Sequence, residues 1–280
     1  MTRADLHVHS RASDGLFAPV EVVRRAHGAG LDALALTDHD TLAGLGEAQR
    51  EARRIGLDFV PGCEISVDVD GRDIHLLAYF VDLAEPRLMR LLAGAERMRG
   101  ERVRGILRRL AAAGLALDEQ DVRAEAAGSH AIGRLHVARA LVSRRHVGNL
   151  AEAFLRYLGG GACAYVSKQT PSGPETLAAV WESGAVPVLA HPGLYGLEEP
   201  ERFFGAWDLG GIEVNHPGHD RDAQERFLRW ARQLGCVATG GSDWHGDERP
   251  AAYVGCRTVE GAVIELLRAK RRPVVHGTEG

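Results

Sequence analysis

Near the N-terminus, Asp5-Leu6-His7-Val8-His9-Ser10 sets two imidazoles two residues apart, with Asp14 close behind. Leu6 and Val8 alternate with the histidines, which is strand periodicity, so both rings leave one face of a strand. Two imidazoles beside a carboxylate at a strand end suit a divalent cation better than an apolar core. Alone, a His-x-His pair fits a hydrogen-bonded core as well as it fits a metal site. The pattern recurs, however. Leu34-Ala35-Leu36-Thr37 delivers Asp38 and His39, Gly62-Cys63-Glu64 follows an apolar run, and His75 sits inside Ile74–Phe80. Val188-Leu189-Ala190 delivers His191-Pro192, Ile212–His216 carries Glu213, Asn215 and His216, and Ser242 leads into Asp243 and His245. Asp38 could instead cap a helix starting near Leu42. A core burying so many imidazoles and carboxylates needs partners for them, and divalent cations with mixed His/carboxylate ligation, of hydrolytic type, supply those partners.

The elements that must position these groups alternate. Strands are expected over Ala4–His9, Ala33–Thr37, Asp58–Pro61, Ile74–Phe80, Val186–Ala190, Gly211–Val214, Val237–Thr239 and Pro273–Val275. Helices are expected over Pro19–Ala29, Leu42–Ile55, Pro174–Ser183, Asp220–Leu234 and Val259–Ala269. Proline near helix starts and Gly30, Gly56, Gly184 and Gly235 after the periodic runs mark the ends. Such alternation predicts an α/β fold with a parallel sheet, whose strand C-termini gather on one face if it closes into a barrel. The rhythm breaks between residues 85 and 167. Consecutive helices are expected there over Pro86–Ala113, Asp118–Ala127, Gly133–Val142 and Leu150–Leu158, with Gly159-Gly160-Gly161 as a flexible exit. The chain thus divides into a catalytic barrel, 1–84 with 168–280, and a helical insertion, 85–167.

Composition sets bounds. The 280 residues, 45% of them hydrophobic, suffice for one large core or a core with an insertion. The net charge of −4 gives no general affinity for nucleic acid, and no duplex-DNA partner is expected. Cys63, Cys163, Cys236 and Cys256 form no Cys-x-x-Cys pair and read as buried free thiols. Neither a signal peptide nor a run near the ~20 apolar residues of a membrane span is visible, so a cytoplasmic location is expected.

His7-x-His9, Thr37-Asp38-His39, Gly62-x-Glu64, the strand with His75, His191-Pro192 and Gly241-Ser242-Asp243-x-His245-Gly246 together resemble the motif set of the PHP (polymerase and histidinol phosphatase) family. The resemblance implies a distorted seven-stranded (β/α) barrel with a trinuclear metal site. By that resemblance His7, His9, Glu64 and Asp243 would ligate a first ion. Glu64 would bridge to a second, completed by His75 and His191, and Asp14, His39 and His245 would hold a third. Two or three divalent ions per chain are implied, manganese foremost, with iron or zinc also compatible with such ligands. Water activated between cations is a nucleophile at neutral pH.

Within the insertion, Ala131–Leu141, Tyr157-Leu158-Gly159 and Ala164-Tyr165-Val166 resemble the small PHP proteins that act as 3′,5′-nucleoside bisphosphate phosphatases, a branch that also includes enzymes trimming short RNA from its 5′ end. Cys163 departs from this resemblance, standing where proline is expected. Between Arg99 and Arg145 there are ten arginines against five acidic residues. Some of these arginines form a solvated face. Arg134, His136 and Arg139 lie instead among small and apolar residues and are expected to grip phosphate, with Lys168 a weaker contact. The implied activity is removal of the 3′-phosphate from a nucleoside 3′,5′-bisphosphate. Asp243 would take a proton from the attacking water, and His216 or His191 would protonate the leaving group. Alternatives are 5′→3′ exoribonuclease action on short RNA, histidinol-phosphate phosphatase action, for which a basic insertion has no use, and a non-catalytic binding module, which an intact ligand set disfavours.

Overall fold

The computed structural model describes residues 2–126, 128, 129, 131–246 and 253–274. Its strands are β1 (Arg3–Asp5), β2 (Ala33–Leu36), β3 (Asp58–Val69), β4 (Arg72–Tyr79), β5 (Val186–Leu189), β6 (Gly211–Asn215), β7 (Val237–Gly240) and β8 (Val259–Glu260). They form one sheet in the order β7-β6-β5-β4-β3-β2-β1-β8. Beyond β1 and β7 the ring closes through Leu6 N–H to Gly240 O, Asp243 N–H to His7 O and His9 N–H to Trp244 O. Closure brings Gly241 so near that a Cβ there would sit 2.4 Å from the His7 backbone nitrogen, which only glycine avoids. The result is a nearly closed α/β barrel whose β1 and β7 ends deliver His7, His9 and Asp243 side by side.

The sheet is mixed rather than parallel. β4 runs antiparallel to both β3 and β5, and β8 runs antiparallel to β1. The cause is local: Asp70 and Gly71 both take positive φ and turn β3 directly into β4 as a hairpin, with no crossover helix between them. β3 is therefore far longer than Asp58–Pro61, and Glu64 and His75 lie in the body of a long ribbon. β1 ends at Asp5, and His7–His9 continue beyond it with isolated bonds, to the segment after β7 and, through Val8, to Thr37 at the end of β2. The expected strand Pro273–Val275 does not form over Pro273 and Val274, and Val275 lies outside the described residues. The last strand is instead β8, within the stretch expected to begin a helix.

Helices α1 (Pro19–Gly28), α2 (Leu45–Ile55), α7 (Gly173–Glu182), α9 (Arg221–Leu234) and α10 (Ala262–Arg268) accompany the barrel, with a short α8 (Pro200–Phe204). β2 is buried along its whole length, as suits a strand covered on both faces. Between β4 and α7 run α3 (Pro86–Ala112), α4 (Glu119–Ala126), α5 (Arg134–Ser143) and α6 (Leu150–Ala153). α6 passes directly into a π-turn over Phe154–Leu158, closed by Gly159 N–H on Phe154 O, so the expected helical stretch to Leu158 forms with its second part in π geometry. Val103, Ile106, Leu110, Val137, Leu141 and Leu158 build a core there, separate from that of the barrel. Polar contacts join the two. Arg99 pairs with Asp40, and the Ser129 hydroxyl donates to Ser13 O.

Candidate metal centre

Four atoms from three barrel segments meet at the closure. His7 Nε2 lies 3.1 Å from His9 Nε2, 3.2 Å from Glu64 Oε2 and 3.3 Å from Asp243 Oδ1. His9 Nε2 lies 3.1 Å from Glu64 Oε2 and 3.2 Å from Asp243 Oδ1. A regular tetrahedron with edges near these lengths has its centre about 2 Å from every corner, the length of a zinc–nitrogen or zinc–oxygen bond. The first predicted ligand group is thus brought together. Glu64 Oε1 faces the other way, 2.8 Å from His75 Nδ1 and 3.0 Å from His191 Nε2. The remaining predicted group is looser. Asp14 lies 3.4 Å from His245 Nε2 and 4.0 Å from His39 Nε2. His39 presents its other nitrogen to Glu64 Oε2 at 3.2 Å, and His9 Nδ1 approaches Asp14 at 4.0 Å, so both rings span two groups.

Protons alone satisfy this cluster poorly. His9 Nδ1 and His191 Nδ1 are buried without a hydrogen-bond partner among the described residues, and Glu64 Oε2 is crowded by three imidazole nitrogens at 3.1–3.2 Å in directions that suit a shared cation better than hydrogen bonds. Burial opposes charge on His7, yet the carboxylates of Glu213, Glu64 and Asp243 outweigh it and hold its pKa well above the usual value. Burial likewise opposes charge on His9, and bonds to Asp243 and Glu64 raise it to about 10. Burial wins at His39, driving it down to about 3 despite Glu64 and Asp14. Converging lone pairs, forced protonation and unpaired buried atoms are what a cationic site shows when protons stand in for metal. The donor set fits divalent cations.

The backbone is strained where it presents these groups. His191 (φ 25°) and Asp243 (φ 49°) both occupy the left-handed region without being glycine. Asp38 does not cap α2, which starts at Leu45 behind Gly44. Its carboxylate accepts from Ser10 N–H at 2.7 Å and from the Ser10 and Ser13 hydroxyls at 2.6 Å, fixing the loop that carries Asp14. His216 Nδ1 accepts from Gly218 N–H, which leaves its proton on Nε2, 3.3 Å from Asp243 Oδ2. His191 Nε2 is taken up by Glu64, so of the two expected proton donors His216 is the one placed beside Asp243.

The predicted phosphate contacts divide. Arg134 is half-buried between the Phe154 and Tyr165 rings and donates to Leu158 O. Arg139 is half-buried and has no hydrogen-bonding or ionic partner among the described residues. His136 offers a phosphate at most its Nε2–H. Its Nδ1 accepts from Gly133 N–H at the start of α5, and burial, then the Arg139 charge, push its pKa down to about 4, so it carries no charge at neutral pH. Lys168 is bound to both oxygens of Asp73, at 2.6 and 2.8 Å, so its charge is already met. Sequence reasoning missed Arg102 of α3, which donates to Val166 O; burial, then the charge of nearby Arg134, push its pKa down to about 10. Their setting inside a long arginine-rich helix gave no signal to single out Arg102 or Arg99. Glu213 and Tyr195 were missed as well. Glu213 stood out as a charge in an apolar strand and was given no role. The Tyr195 hydroxyl accepts from His75 N–H at 3.1 Å and donates to Ala190 O at 2.7 Å, joining β4 to the His191 loop.

All four cysteines are free, but Cys163 is exposed, so burial is not common to them. No helix among the described residues is long and apolar enough to cross a membrane.

Residues 5–121 match the model of the PHP domain. A Haemophilus influenzae protein named 5′-3′ exoribonuclease is 35% identical over 86% of this chain and 89% of its own length. A Chromobacterium violaceum protein named 3′,5′-nucleoside bisphosphate phosphatase is 36% identical over 91% of both chains. The solved structure of a Bifidobacterium adolescentis protein described as a metal-dependent phosphoesterase superposes with a TM-score of 0.86 at 30% identity, over 97% of each chain. With its barrel, its cluster of histidines and carboxylates and these relatives, the chain belongs to the PHP family of metal-dependent phosphoesterases.

Proposed function

We propose that this phosphoesterase removes the 3′-phosphate of nucleoside 3′,5′-bisphosphates. The observation that carries the reading is a pair of cations with no carboxylate bonded to either among the described residues. Arg102 and Arg134 lie close enough for their charges to repel, and among the described residues each donates only to a backbone carbonyl. Arg102 also feels the charge of Asp73, whose carboxylate lies 3.8 Å from His75 Nε2. Such guanidinium groups suit a second phosphate that is held but not cleaved. The helical segment 85–167 would then cap the barrel mouth over the substrate, with Arg139 a further contact and Lys168 contributing less.

His7, His9, Glu64 and Asp243 would hold one divalent cation, Glu64, His75 and His191 a second, and Asp14, His39 and His245 a third. Bound there, the cations would supply Lewis acidity toward the phosphoryl oxygens and lower the pKa of water. The residues' own work is positional and protonic. Asp243 accepts a proton at its carboxylate, His216 holds one at Nε2 for the leaving oxygen, and the arginines fix the distal phosphate.

A 5′→3′ exoribonuclease reading is favoured by the Haemophilus influenzae relative. A short RNA also offers a 5′-phosphate to the same arginines, so the two readings are two uses of one site. The test is turnover by manganese-loaded protein of a nucleoside 3′,5′-bisphosphate, a short 5′-phosphorylated RNA and histidinol phosphate. Bisphosphate should be hydrolysed with the highest kcat/KM. Preference for histidinol phosphate would overturn the proposal.

A further inference from the structure

Glu213 is fully buried on β6, in the run Gly-Ile-Glu-Val-Asn, and belongs to none of the ligand groups above. Its two oxygens reach different parts of the metal centre. Oε1 lies 3.0 Å from His7 Nδ1, and Oε2 accepts from His191 N–H at 2.8 Å. Both partners are therefore donors, and both oxygens are needed. The first contact keeps a proton on His7 Nδ1, which leaves Nε2 as the nitrogen facing His9, Glu64 and Asp243. The second holds the backbone of His191 where its φ of 25° is unfavourable for a side-chain-bearing residue. His191 in turn aims Nε2 at Glu64 Oε1.

We infer that Glu213 is a positioning residue that prepares two cation positions at once, by fixing the tautomer of His7 and the backbone of His191. The inference rests on the metal-centre reading above. A carboxylate hydrogen-bonded to the non-ligating nitrogen of a histidine orients the ring and raises its basicity, and losing such a partner typically costs about 10- to 100-fold in metal affinity. Here one carboxylate serves two histidines, so the loss should fall on two positions rather than one.

The conservative variant discriminates this from bulk or packing. Glu213→Gln preserves shape but has a single acceptor oxygen. If that oxygen keeps the His191 N–H, the amide nitrogen faces His7 Nδ1 as a donor. The His7 proton is then favoured on Nε2, on the side where a cation must bind.

The experiment compares wild type, Glu213→Gln and Glu213→Ala, each stripped with chelator and titrated with Zn²⁺ by calorimetry. Circular dichroism and a thermal melt of the metal-free protein are recorded beside it, with ¹⁵N imidazole spectra of the zinc-loaded forms. Wild type should bind more than one ion, with His7 ligating through Nε2 and protonated at Nδ1. Glu213→Gln should melt cooperatively without metal yet bind about 10- to 100-fold more weakly at two positions. Wild-type affinity in a folded Glu213→Gln protein would overturn the inference. Should neither variant fold, the wild-type spectrum still decides, because His7 ligating through Nδ1 contradicts the proposed orientation. A wild type that binds no divalent ion overturns the metal-centre reading and this inference with it.

Discussion

The barrel mouth and the helical segment both concentrate charge, but they resolve it oppositely. At the mouth, the imidazoles and carboxylates that meet around Glu64 lie 2.8–3.3 Å apart, buried or half-buried and aimed at one another. In the helical segment, Arg102 and Arg134 repel each other and, among the described residues, hydrogen-bond only to backbone carbonyls, with Arg134 also over aromatic rings. Convergent ligands at fixed spacing suit resident cations. Cations without anions suit a charged group that comes and goes. On the proposed function, that difference corresponds to chemistry in one region and recognition in the other.

The comparison breaks most completely at Glu64, whose two oxygens serve different groups. Glu64→Gln should lose bound metal by elemental analysis and lower kcat by orders of magnitude on every substrate, an aryl phosphate included. Near wild-type turnover with full metal content would remove Glu64 from the centre of the account. Asp243→Asn should behave similarly while the fold persists by circular dichroism.

The arginines should show the opposite selectivity. A charged hydrogen bond is typically worth ~1.5–3 kcal/mol, so Arg102→Ala or Arg134→Ala should weaken kcat/KM for a bisphosphate roughly ten- to a hundredfold. Aryl phosphate, which has no second phosphate, should hardly respond. Equal losses on both substrates would return these side chains to a structural role. Lys168→Met should cost less than either, because Asp73 already neutralises the lysine; a loss as large as that of Arg134→Ala would place Lys168 in the clamp.

The smallest effect concerns His136. Its folded pKa of about 4 lies below the ordinary 6.5, so the unfolded chain takes up the proton first as pH falls. Its contribution to stability is full above about pH 6.5 and is lost as pH falls toward about 4. Melting temperature against pH should therefore fall less steeply over this window in His136→Gln than in wild type. Identical slopes would show that the folded ring protonates freely.

Motif order pointed to the candidate ligands because most of them lie just after a strand, where alternation and apolar runs mark position; Glu64 and His75, in the body of the β3–β4 ribbon, are the exceptions. The topology was less so. A parallel sheet followed from strand-helix alternation, yet Asp70-Gly71 folds β3 back onto β4, a turn whose signal is local and lies outside the periodic runs. β8 escaped because a two-residue strand at a helix start has no period to read. Single side-chain roles were least legible. His136 and Lys168 look like phosphate contacts by type, and only their neighbours, Gly133 N–H and Asp73, show where their polar atoms are engaged. Conversely, Arg102 looks like one of many helix-surface arginines, and only its half-buried place beside Arg134 distinguishes it.

The most direct test of the central claim is the product formed from a nucleoside 3′,5′-bisphosphate by manganese-loaded protein, followed by ³¹P NMR. The account predicts that the 3′-phosphate resonance disappears while inorganic phosphate and a 5′-monophosphate accumulate, because the arginines hold the 5′ group away from the cations. Accumulation of the 3′-monophosphate, or no turnover by protein shown to carry its metals, would contradict it.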